Sequence, residues 1–137
     1  MTMEAPFNDW PSLPPRMGQA ELDAFLLHAA QGGVTDVHVQ SLRPLVVNRH
    51  GRLFTITARR LELSEVQGLA AAVLGAHVPP TLGKGEDADG DYSLFVDGYR
   101  HRFRVNATSI QIDDQIGIHL VFRIHPNVPP ALEALGI

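Results

Sequence analysis

Hydrophobic positions fall into alternating helical and strand spacings along the chain. Leu22, Phe25, Leu26 and Ala29 recur every three or four residues, which predicts a helix over 19–31 that Gly32 and Gly33 stop. Residues 35–40 then alternate, with Val37 and Val39 inward, as a half-buried strand does. Residues 45–49 and 52–57 predict a hairpin around His50-Gly51, with Val47 facing Phe54 and Leu45 facing Ile56. Val66, Leu69, Ala70, Val73 and Leu74 form the stripe of a second helix, ended by Gly75. Ser64 is the expected N-cap, Gln67 completes a capping box and Leu63 staples the entry. Pro79-Pro80 makes residues 78–85 read as a loop.

The last third of the chain reads as three strands. An acidic stretch, Glu86, Asp87, Asp89 and Asp91, leads into a strand at 92–96, and Asp97-Gly98 is a strong hairpin signal. That turn sets Tyr92 against Phe103, Leu94 against His101 and Asp91 against Arg104. A second turn near Asp113-Asp114 sets Arg104 against Arg123. Period two sends His101, Phe103 and Val105 to one face, and Arg102, Arg104 and Asn106 to the other. Like charges directly opposite destabilise a sheet, so this face either holds a local acid or receives an anion. The predicted class is α+β, with about six mostly antiparallel strands and two main helices packed on one face. The arginine face is then the free one.

Composition narrows the function. With 137 residues, 45% of them hydrophobic, the chain can bury a core as one domain. A net charge of -4 argues against direct nucleic-acid binding. The absence of cysteine excludes disulfides and cysteine metal sites. No apolar run approaches the roughly 18 residues of a membrane span, and no signal pattern opens the chain, so a cytoplasmic location is expected. Residues 1–18 form a Pro-rich irregular arm whose large apolar anchors are Phe7 and Trp10, either a disordered tail or an arm that docks on a neighbouring surface through Trp10. His38, His101 and His119 lie on different strands without metal-ligand spacing, so no metal site is expected. Asp87, Asp89 and Asp91 lack the glycine and the distal glutamate of a calcium loop. Asp36 is expected to bond its local backbone. Residues 131–137 begin a helix-like segment, expected as the start of a linker over 127–137.

Five segments in order carry a family resemblance. Thr35-Asp36-Val37-His38-Val39 resembles the Ser-Asp-(Ile/Leu)-His strand of type IV pilus and secretion ATPases. Residues 89–95 are similar to their Asp-x-x-(Phe/Tyr)-x-Phe strand, and Arg102-Phe103-Arg104-Val105-Asn106-Ala107 to their Arg-Phe-Arg-Val-Asn-Ala strand. Val121-Phe122-Arg123-Ile124-His125-Pro126 resembles Val-Phe-Arg-Thr-Ile-Pro, and residues 128–137 resemble the Leu-Glu-x-Leu-Gly linker to the ATPase core. The Asn-Ala-Thr after the arginine strand looks most like the DotB/TraJ branch of type IVB secretion and conjugation, with the PilT retraction motors next.

The resemblance implies a PAS-like N-terminal domain over 19–126 of a hexameric RecA-type motor. It implies an ATP site between this domain and a C-terminal ATPase domain, with Arg104 and Arg123 reaching the phosphates and Arg102 as a weaker third. ATP and Mg are the implied cofactors of the full-length protein, with none held tightly by this segment. The implied partners are the ATPase domain, neighbouring subunits of a homohexamer, and secretion or pilus machinery at the inner membrane. No G-x-x-x-x-G-K-(S/T) occurs, and Gly83-Lys84-Gly85 does not replace it, so these residues are not expected to hydrolyse ATP alone. The alternative is a stand-alone PAS-like sensor or adaptor that binds a small ligand or a partner protein. Catalysis within these residues lacks a nucleophile, base or metal constellation.

Overall fold

Among the described residues six strands, β1 (Asp36–Gln40), β2 (Val46–Arg49), β3 (Arg52–Thr55), β4 (Ala88–Val96), β5 (Tyr99–Ile112) and β6 (Gln115–Ile124), form one antiparallel sheet in the order β3-β2-β1-β6-β5-β4. The computed structural model describes residues 10–125. Its helices are α1 (Gln19–Gln31), α2 (Leu63–Leu74) and α3 (Val78–Gly83). Pairing of β1 with β6 joins the early strands to the late ones and places both in the middle of the sheet. No described helix is long and apolar enough to cross a membrane.

The α+β reading is borne out. Leu22, Phe25, Leu26 and Ala29 of α1 are buried, as are Val66, Leu69 and Ala70 of α2. They join Val37, Val39, Phe103, Val105, Ala107, Leu120 and Phe122 from the sheet in one core. Along β5 the alternation is strict: His101, Phe103, Val105 and Ala107 are buried, while Arg100, Arg102, Arg104 and Asn106 are exposed. One face therefore carries the core, and among the described residues the other remains open.

Three expectations change. The N-cap of α2 is Glu62, not Ser64, and the reciprocal residue is Glu65, not Gln67. Glu65 Oε1 accepts the Glu62 amide at 2.8 Å while Arg59 holds the same carboxylate at 2.7 Å, so the cap forms where a tertiary partner fixes it. Ser64 instead accepts a bond from Arg16 at 3.1 Å. Residues 78–83 are the short helix α3 rather than a loop. Pro79 and Pro80 sit in its first turn, where a missing N–H costs nothing and the fixed φ suits a helix start. Residues 10–18 have no regular structure, yet Trp10 packs on its own domain, 6.2 Å from the Phe25 ring and 4.4 Å from the His28 ring. Phe7, Pro126 and the expected linker lie outside the described residues.

Glycine contributes by close approach at one position in β6. A Cβ on Gly117 would meet Ile112 Cδ1 at 2.7 Å and Ser41 Cβ at 2.9 Å. Ser41 cannot yield easily, because its Oγ accepts the Ile118 amide at 2.9 Å. Gly117→Ala is expected to lower stability by about 1–3 kcal/mol. Gly68→Ala, in α2 with open space at its Cβ, is expected to raise it by about 0.5–1 kcal/mol. Urea midpoints of the two variants should move in opposite directions from the parent, and movement of both in one direction would refute this account.

Candidate phosphate-binding face

A row of charges crosses four adjacent strands on the open face. Asp36 of β1 faces Arg123 of β6, Arg123 faces Arg104 of β5, and Arg104 faces Asp91 of β4. The register that sets the two arginines opposite each other is the one the turns predict. The Asp97-Gly98 turn places both in left-handed backbone, as its hairpin needs, and Asp113 has φ 51 at the second turn.

The screening acid differs from expectation. Among the described residues Arg104 has no ion pair, although Asp91 stands across from it. Arg123 Nε instead pairs with Asp36 Oδ1 at 3.3 Å. Asp36 also accepts a bond from the Thr35 hydroxyl at 3.1 Å, so its partners are side chains rather than its local backbone. The Arg123 side chain is 75% exposed, so this pair contributes at most about 1 kcal/mol.

Arg104, Asn106, Val121 and Arg123 line an open depression of about 360 Å³. Two guanidinium groups and a carboxamide therefore border one space. Guanidinium stays charged at any working pH and matches phosphate oxygens with a planar fork of donors. Arg102 lies on the same face at the next outward position, opposite Ser93, but does not border the depression. Among the described residues no group of three His, Asp or Glu side chains could hold a metal ion.

Sequence reasoning missed one feature of this face. His38 and His119 were separated by strand, yet their Nδ1 and Nε2 atoms lie 3.0 Å apart. The pairing of β1 with β6 brings them together, and no turn in the sequence announces that pairing. They border a cavity of about 550 Å³ that Gln40, Pro44, Val46 and Leu53 also line. Burial pushes the His38 ring below the ordinary imidazole range, against the charge of Asp36. Burial lowers His119 too, and His38 adds to that effect.

No protein-family model matches the chain, and no curated protein matches it. Solved structures do. The X-ray structure of the Legionella pneumophila ATPase DotB is 29% identical over 91% of this chain, with a TM-score of 0.82. The domain is thus similar in fold and sequence to part of the ATPase DotB. The Yersinia pseudotuberculosis ATPase DotB has the same TM-score, 0.82, over 92% of the chain at 18% identity. The pilus retraction motor PilT, solved with bound ADP, shares the fold at a TM-score of 0.52 and 20% identity over 79% of the chain. This chain spans 37% and 35% of the two DotB chains and 29% of the PilT chain. The resemblance read from the five motifs is thus borne out.

Proposed function

We propose that this domain is the N-terminal part of a hexameric secretion, conjugation or pilus ATPase. In this reading its open face closes one side of an ATP site whose other side belongs to a C-terminal ATPase domain. Arg104 and Arg123 contact the phosphates, and Arg102 contributes less. The observation that carries the reading is the depression bordered by both arginines, on a face that the core leaves open. The kinship with ATPase DotB supports the nucleotide. Magnesium would be held by the ATPase domain and the nucleotide, since the described residues offer no acidic trio for it. The motor would work in the cytoplasm beside the inner membrane, with adjacent subunits and the secretion machinery as its partners. The domain would carry nucleotide state between subunits without hydrolysing ATP itself.

The test is ATP turnover by the longer protein bearing Arg104→Ala or Arg123→Ala. Turnover should fall in both while circular dichroism and the thermal midpoint stay at parent values. Unchanged turnover in both would remove the proposal.

A further inference from the structure

The His38–His119 contact joins ring nitrogen to ring nitrogen at 3.0 Å, with ring centroids 5.2 Å apart and planes 29° apart. One ring must donate and the other accept. Two neutral rings meet that condition, and so does a pair with one added proton. Two imidazolium rings do not: both nitrogens then carry hydrogen, and like charges meet at hydrogen-bond distance. The pair can therefore hold one extra proton but not two.

Its surroundings place that proton beside the arginines. Asp36 lies on the same face of β1, two residues before His38, and bonds Arg123. On β6, Val121 faces His38, with His119 and Arg123 on either side of it. Arg104 stands next to Arg123 on β5, and Thr108 is the β5 residue opposite His119. From β2, Val46 and Asn48 face β1, and Leu53 of β3 lies beyond them, so the hairpin adds no charge to the cavity wall. Arg43 lines the same cavity. Asp36 thus favours the first proton, and the charge that this proton adds opposes a second on the facing ring.

We propose that the His38–His119 pair is a one-proton switch that strengthens anion binding at the Arg104–Arg123 face in mild acid. The added charge draws on Asp36, the carboxylate that otherwise offsets Arg123, and leaves the arginine face more positive. This inference rests on the arginine reading, and its test separates the two. His125, at the end of β6 with its amide bonded to the Arg102 carbonyl, is another imidazole beside that face, so all proteins compared carry His125→Gln.

Imidazole NMR titration reads the pair directly. His38 and His119 should titrate in two steps more than about one pH unit apart, and His119→Gln should leave His38 a single step. Sulfate, whose charge is constant over this range, reads the coupling. Because burial holds both rings below the ordinary imidazole range, its affinity should rise on the order of fivefold from about pH 7 to about pH 5. The double variant His38→Gln/His119→Gln should keep the neutral-pH affinity and lose the rise. Independent single-step titrations overturn the switch, and so does an equal rise in the double variant. Sulfate affinity that ignores Arg104→Ala overturns the arginine reading instead, while the titration still decides the pair. If sulfate does not bind at either pH, the coupling is refuted.

Discussion

Glu65→Ala should cost about 3–5 kcal/mol of folding stability, among the largest losses from any single substitution in this chain. The carboxylate is completely buried and accepts four bonds. Arg59 Nη1 and Nη2 donate to its two oxygens at 2.7 Å each, the Met17 amide donates at 2.6 Å and the Glu62 amide at 2.8 Å. Removing it leaves the Met17 and Glu62 amides without their acceptor and the Arg59 charge without its counter-ion, which costs more than the pair contributes. Arg59 also donates to the Pro14 carbonyl at 2.8 Å, so residues 14–17 should loosen together with the start of α2. Burial alone would raise the Glu65 pKa. The bonds from Arg59, Glu62 and Met17, with the Arg59 charge, outweigh burial and hold it at about 2, below the ordinary 4.5. A depressed carboxylate stabilises the fold above its unfolded value. That stability is therefore complete above about pH 4.5 and is lost as pH falls through about 2. The depression corresponds to about 3 kcal/mol, which agrees with the mutational magnitude. Urea unfolding at neutral pH should show the full gap between parent and Glu65→Gln, and the gap should narrow towards pH 2. A neutral-pH difference below about 1 kcal/mol would mean the cluster is ornamental to the fold.

That cluster also shows where a sequence stops being readable. Ser64 with Gln67 and Glu62 with Glu65 are both three residues apart at the start of one helix. Local chemistry favours the serine. The choice is made by Arg59 and by the Met17 amide 48 residues away, which no local pattern contains. The same limit applies to the sheet. The two hairpins were legible because Asp97-Gly98 and His50-Gly51 specify tight turns and alternation specifies the face. The Arg104–Arg123 register follows from a short connection at Asp113-Asp114. The β1–β6 pairing spans more than eighty residues with no turn to announce it. Everything that depends on it, namely the Asp36–Arg123 bond and the histidine pair, was therefore invisible. The first helix shows the opposite case, since its apolar spacing and glycine stop describe it from end to end.

If the proposed motor holds ATP on this face, removing both Arg104 and Arg123 from it should lower ATP turnover on the order of 10³-fold or more, the scale on which an arginine stabilises charge on a transferring phosphoryl group. The two need not weigh equally. Arg104 has no ion pair among the described residues and can turn to a phosphate at no cost in broken contacts. Arg123 must leave Asp36 or share it, at about 1 kcal/mol for so exposed a pair. Arg104→Ala should therefore cost at least as much turnover as Arg123→Ala. Asp36→Asn should leave Arg123 as free as Arg104 and lower KM for ATP by up to about fivefold. Arg102→Ala should cost least, because Arg102 lies outside the depression that the other two border. Lysine separates charge from geometry. Arg104→Lys keeps the charge but lacks the planar fork, so most of the loss should remain if two oxygens are held at once. Full recovery by lysine would reduce the role of Arg104 to a point charge. A greater loss from Arg102→Ala than from Arg104→Ala would place the phosphates at the outer end of the arginine strand, away from the depression.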